Sequence, residues 1–124
     1  MAKPAVAIVG ASKDRSKFGN KAVRAYLRQG YDVYPVNPKE ETIEGLKCYG
    51  SVLDVPVGLD RISVYLPPAI GLKVLDEIAA KGAKEVWLNP GADSDEVIAR
   101  ATELGLQPIV ACSILGVGEH PDEL

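Results

Sequence analysis

Five short apolar runs punctuate this chain, and none of them alternates between apolar and polar residues. They are Ala5-Val6-Ala7-Ile8-Val9, residues 33–36 with Tyr34 inside, residues 62–66, Val86-Trp87-Leu88 and Pro108-Ile109-Val110. A strand with one face in water alternates. Unbroken runs rich in β-branched residues suit strands covered on both faces. Between the runs lie helical stripes. Phe18, Ala22 and Tyr26 recur every four residues with Val23 and Leu27 beside them, and Gly30 follows. Ile70, Val74 and Ile78 repeat the pattern with Leu75 and Ala79, closed by Gly82. Val97, Ala101 and Leu104 form the third stripe, entered through Asp93 or Ser94 as N-cap and ended by Gly105. Such glycines suit the left-handed backbone of a helix end.

Strands alternating with helices over short loops imply right-handed βαβ units. The expected fold class is therefore α/β: a doubly wound, mainly parallel five-stranded sheet with helices on both faces, in three layers. Residues 38–60 are less readable. Gly45, Gly50, Pro56 and Gly58 break them up, with a short helix or extended turn over 52–55. At 124 residues the expectation is one domain, 1–124, with no room for a separate substrate domain.

Composition narrows the function classes. With 47% apolar and 25% charged residues the chain reads as a soluble globular protein. No apolar run reaches the length of a spanning helix. A net charge of −3 with scattered basic residues offers no footprint for nucleic acid. The N-terminus leads straight into a strand without a signal-peptide core, so the expected location is cytoplasmic, with Cys48 and Cys112 reduced.

In a sheet of this kind the ligand crevice lies beyond the carboxyl ends of the strands, where strand order reverses. That rule gathers five loops onto one surface. The first, from Gly10 through Ala11, Ser12, Lys13 and Lys17 to Phe18 and Gly19, joins a strand-end glycine to a helix N-terminus. Backbone N–H groups, hydroxyls and cations there suit a phosphate. The loop is neither a Walker sequence nor a good GxGxxG, and a plain βα turn with a solvated charge run stays open. The second loop, Asn37-Pro38-Lys39, lacks the acidic residue that a dinucleotide site for NAD places there. It suits a ribose carrying a phosphate, as in NADP or coenzyme A, or simply a turn with a solvated lysine. The third, Leu66-Pro67-Pro68, offers a rigid apolar wall for a base, or merely a proline helix start. The fourth, Asn89-Pro90-Gly91, admits a close ligand approach at the glycine; Trp87 before it reads as core.

Catalytic groupings are scarce. The single histidine, His120, reads as a surface residue in the tail. Cys112, at the end of the fifth run, could face the crevice, but it has no histidine partner in the sequence pattern. Neither cysteine has metal-ligand spacing. Glu40, Glu41, Glu44, Asp93, Asp95 and Glu96 read as solvated acidic faces or helix-start charges.

Four segments carry a resemblance to a known family. They are Val6-Ala7-Ile8-Val9-Gly10-Ala11-Ser12, Tyr31-Asp32-Val33-Tyr34-Pro35-Val36-Asn37-Pro38-Lys39, Gly45-Leu46-Lys47-Cys48-Tyr49-Gly50-Ser51-Val52 and Lys81-Gly82-Ala83-Lys84-Glu85-Val86-Trp87. Together they resemble the small stand-alone CoA-binding proteins, whose Rossmann-like fold is also the N-terminal domain of the succinyl-CoA synthetase alpha subunit. The likeness runs from Val6 to about Cys112; in Ala111-Cys112-Ser113 the basic residue that many members carry beside this cysteine is missing.

The resemblance implies coenzyme A or an acyl-CoA as ligand, bound through its 3′-phospho-ADP part; the shortness of the chain and the scarcity of catalytic groupings add the expectation of binding without catalysis. The loop at Gly10, Ala11, Ser12 and Lys13, with Lys17 and Phe18 beside it, would hold the diphosphate. Asn37, Pro38 and Lys39 would line the adenosine side, Lys39 near the 3′-phosphate. Leu66, Pro67 and Pro68 would contact adenine or ribose, and Asn89, Pro90 and Gly91 would border the pantetheine arm. Two alternatives stand beside it: a small NADP-dependent reductase, and a redox module pairing Cys112 with the CoA thiol. A homodimer or another protein partner is left open.

Overall fold

The computed structural model describes residues 3–124. One inner strand of its main sheet, β1 (Ala5–Val9), is buried along its whole length, which is why that run carries no polar residue. Alternate side chains leave a strand on opposite faces, so β1 feeds two cores. Ala5, Ala7 and Val9 join one cluster with Leu75, Ile78, Val97 and Ala101. Val6 and Ile8 join the other with Ala22, Val23, Tyr26 and Ile114.

The main sheet is parallel throughout and has the order β2-β1-β5-β6-β7, with β2 at Asp32–Val36, β5 at Arg61–Val64, β6 at Glu85–Leu88 and β7 at Pro108–Val110. Helices α1 (Phe18–Arg28) and α4 (Ser113–Gly116) contact each other, as do α2 (Pro68–Lys81) and α3 (Asp95–Glu103). The two pairs follow the two cores, one on each face of the sheet. This is the three-layer, Rossmann-like α/β architecture expected from the run-and-stripe pattern. Ser94 is the N-cap of α3, its hydroxyl accepting from the Val97 N–H at 3.1 Å. Among the described residues no helix is long and apolar enough to cross a membrane.

Three expectations need correction. The third apolar run ends as a strand at Val64, although the Tyr65 N–H still reaches the Val9 carbonyl at 2.8 Å. Phe18, Leu27 and Ile70, assigned to the buried stripes, are 54%, 39% and 47% exposed. Residues 38–60 contain a hairpin, β3 (Thr42–Ile43) with β4 (Leu46–Lys47), joined by Glu44-Gly45. Both turn residues have positive φ, 51° and 77°, as the hairpin turn with two left-handed residues requires. The reading of 52–55 as a short helix holds as a 3₁₀ turn over Val52–Asp54. Two further pieces went unread: α4, and a 3₁₀ turn at Pro121–Glu123. Trp87 is core, with Gly116 of α4 packed so closely that a Cβ there would lie 2.5 Å from the indole.

Candidate functional site

Strand order reverses between β1 and β5, because the chain leaves β1 for β2 on one side and returns to β5 on the other. The connections that follow β1 and β5 therefore part, and a crevice opens between them. It has two lobes of about 310 and 660 Å³ that share Gly10, Ser12, Lys17, Tyr65 and Leu66.

Gly10 makes the floor possible. Its φ of +92° and a missing Cβ that would fall 2.8 Å from the Tyr65 carbonyl oxygen leave glycine as the residue that fits. Its own N–H is spent on the Val36 carbonyl at 3.1 Å, so it supplies no ligand donor. The donors come from the start of α1. That helix has Lys17 as N-cap with no side-chain cap and no acidic residue in its first turn. The Lys17 and Asn20 N–H groups are spent on the Asp14 and Lys17 carbonyls, both at 3.1 Å, which leaves those of Phe18 and Gly19, two residues lining the smaller lobe, without an acceptor among the described residues at the positive end of the helix dipole. The start of α3 is the opposite case, filled by the Ser94 cap and by Asp95 and Glu96. Gly19 lets α1 approach closely: a Cβ would sit 2.4 Å from the Gly10 carbonyl oxygen.

The cations of the first loop separate into two groups. Lys13 pairs with Glu40 at 3.3 Å and Arg15 with Glu44 at 3.7 Å, and neither lines a lobe. Lys17 and Lys39 line the larger lobe and have no acidic partner among the described residues. Asn37 braces the two loops, donating to the Ala11 carbonyl and accepting from the Lys39 N–H, both at 2.9 Å. Arg24 and Glu44 tie the first loop down further, through the Arg15 carbonyl at 2.7 Å and the Asn20 amide at 3.1 Å.

Of the sequence-derived site residues, Gly10, Ser12, Lys17, Phe18, Leu66, Pro67, Pro90 and Gly91 meet in the smaller lobe. Gly10, Ala11, Ser12, Lys17, Asn37, Pro38, Lys39 and Leu66 meet in the larger. Three do not reach either. Lys13 is turned toward Glu40, Pro68 sits inside the first turn of α2, and Asn89 lies beneath the floor. The Asn89 amide donates to Ser63 Oγ and the Val64 carbonyl, both at 2.9 Å, and accepts from the Ser113 N–H at 2.8 Å. Ser113 Oγ in turn meets Ser63 Oγ at 2.6 Å and the Tyr65 hydroxyl at 3.1 Å. This buried network holds α4 to the ends of β5 and β6. Burial pushes the Tyr65 phenol well above its usual range, so that side chain stays neutral.

Sequence reasoning missed the outer wall of the larger lobe: Gly50, Ser51 and Val52 on one side, Ile70, Val74 and Glu77 of α2 on the other. The signals were present but not assigned to the site: Ile70 and Val74 belong to a stripe that reads as core, and Gly50, Ser51 and Val52 to a segment that carried the family resemblance without a role. Cys112 begins α4, half-buried against the α1-side core, and lines neither lobe. Cys48 is buried beside the Asn37 carbonyl, and burial pushes its thiol up. His120 is exposed.

Comparison with known proteins fits this geometry. A family model described as a CoA binding domain matches residues 4–117. The chain belongs to the CoA-binding domain family. It is 42% identical over 79 residues to an ADP-forming acetate–CoA ligase of Methanocaldococcus jannaschii, covering 64% of this chain and 11% of that protein. A hypothetical protein from Pyrococcus horikoshii superposes with a TM-score of 0.81 at 38% identity, covering 89% of this chain and 78% of that one. A dinucleotide-forming acetyl-coenzyme A synthetase of Ca. Korarchaeum cryptofilum gives a TM-score of 0.74 at 33% identity, covering 86% of this chain and 26% of that one. Members of this family thus include domains of acyl-CoA synthetases, and the chain spans only 11% to 18% of the length of the first curated ligases it matches.

Proposed function

We propose that this chain binds coenzyme A, free or acylated, with its diphosphate over the start of α1 and its adenosine part in the larger lobe. The observation that carries this reading is the pair Lys17 and Lys39, two cations that make no ion pair among the described residues, on one lobe that begins at a helix N-terminus without a side-chain cap. A diphosphate satisfies the N–H groups of α1 and Lys17. A phosphorylated ribose satisfies Lys39, next to the neutral Asn37. The smaller lobe, walled by Phe18, Leu66, Pro67 and Pro90, suits the less polar pantetheine arm. Family membership supports the same ligand.

Neither lobe is lined by histidine or cysteine among the described residues. The role we assign to these residues is to hold the ligand, with no chemical step. Ligase activity, named for the longer relatives, is not carried over. Calorimetric titration with CoA, dephospho-CoA and NADP tests the reading. CoA is expected to bind about tenfold or more tightly than dephospho-CoA, the worth of one charge-assisted contact. Lys39→Ala is expected to erase that difference. Absence of CoA binding, or equal affinity for CoA and dephospho-CoA in the parent protein, overturns it; tighter binding of NADP would favour the reductase reading instead.

A further inference from the structure

At the far end of the larger lobe, Glu77 on α2 faces Ser51 across the groove, and the direction of their hydrogen bond is fixed by Ser51. Its oxygen accepts from the Leu53 N–H at 3.1 Å, and its one proton is donated to Glu77 Oε1. The carboxylate is therefore anchored by one oxygen, in a lobe that both residues line. Lys81, one turn further along α2, is drawn away by the Val55 carbonyl at 2.6 Å. Lys73, one turn back, makes no ion pair with Glu77 among the described residues. Oε2 thus has no protein donor there.

The surroundings define what that oxygen can receive. Val36 and Val52 form one wall of the lobe, and Ile70 and Val74 the other. Ile70 is 47% exposed in the free protein although it continues the apolar stripe of α2, an apolar surface that a flat ring would cover. Lys17 and Lys39 lie on the same lobe, and Glu77 is its acid. A second phosphate beside Glu77 would meet like charge, whereas a neutral N–H donor would complete its hydrogen bonding.

We propose that Glu77 reads the nucleobase: Oε2 accepts an N–H from the 6-amino group of an adenine inserted between the two apolar walls, and Ser51 positions the carboxylate for it. The assignment rests on the CoA reading and adds base selectivity to it. A site built to receive an N–H discriminates against a ligand that lacks it, because its acceptor is left desolvated and unmet.

The test is calorimetric titration of the full chain with adenosine 3′,5′-bisphosphate and with purine riboside 3′,5′-bisphosphate, which lacks the 6-amino group alone. The parent protein is expected to bind the second about tenfold or more weakly. Glu77→Ala, a change that favours the helix, is expected to bind the two equally. Equal affinities in the parent, or the same loss in Glu77→Ala as in the parent, overturn the assignment while leaving the CoA reading standing. If the parent binds neither these ligands nor CoA, the CoA reading falls and this assignment falls with it.

Discussion

Replacing Gly19 by alanine sets two effects of opposite sign against each other at the site. Alanine favours a helix over glycine by at most about 1 kcal/mol. Against this, the new Cβ would lie 2.4 Å from the Gly10 carbonyl oxygen and 3.4 Å from the Ala11 Cα. A normal carbon–oxygen contact is about 3.3 Å or more, so a separation of roughly 1 Å must be made up by backbone. Gly10 is held in place by its N–H bond to the Val36 carbonyl at 3.1 Å. The start of α1 must move instead. Overpacking of this kind costs about 1–3 kcal/mol, which against a helix gain of about 1 kcal/mol leaves a net destabilisation of up to about 2 kcal/mol. The moved segment is the proposed diphosphate seat, so CoA affinity is expected to fall about tenfold, as for one lost charge-assisted bond. Urea unfolding at unchanged slope and calorimetric titration read the two effects separately. A variant more stable by about 1 kcal/mol with undiminished CoA affinity would refute the close approach and its role.

Lys17→Ala is expected to weaken CoA binding about tenfold, whereas Lys13→Ala, whose amine is engaged by Glu40, should change it by less than about twofold; titration of both variants compares them. Ser113→Ala takes a partner from Ser63 and Tyr65 and should cost about 1–3 kcal/mol in urea unfolding, while adding Ser63→Ala should cost less than the sum of the single changes. Asp60 accepts from the Ala5 N–H and pairs with Lys84, which hold its carboxyl below the usual range. Its contribution is then present above about pH 4, the unfolded value, and is lost as pH falls through the lower folded value. The stability gap between parent and Asp60→Ala should be constant from pH 5 to 7 and shrink below pH 4; a gap unchanged at pH 2 would contradict this.

The sheet was legible because its inner strands β1, β5 and β6 are buried nearly throughout, so burial wrote itself into apolar runs, whereas the edge strand β7, read the same way, leaves Val110 46% exposed. Ala5 to Val9 is the clearest case. The hairpin was not legible: strands of two residues have no period to read, and Glu44 stands where a left-handed turn normally advertises itself with Asn or Gly. Along α2, Ile70 and Ile78 look alike in the stripe, yet Ile78 is fully buried and Ile70 half open on the groove. What separates them is that Ile78 packs into the core cluster with Leu75 and Val97, which Ile70 does not join. The phosphate-side loops could be gathered from the topology rule, since the ends of parallel strands must share one side. Which cation faces the crevice depends on ion pairs across 27 and 29 residues of chain, from Lys13 to Glu40 and from Arg15 to Glu44, which spacing does not encode. Asn89 looked like a loop residue at a strand end and proved to be a buried brace, because its amide is wanted by Ser63 and Ser113 below.

The most direct test of the central claim is a ¹H–¹⁵N correlation spectrum of the chain titrated with CoA. The account predicts saturable shifts concentrated at the amides of Ser12, Lys17, Phe18 and Gly19, with a second group at Lys39 and residues 50–52. Spectra unchanged at millimolar CoA, or shifts confined to other surfaces such as the outer edge of β2, would contradict it.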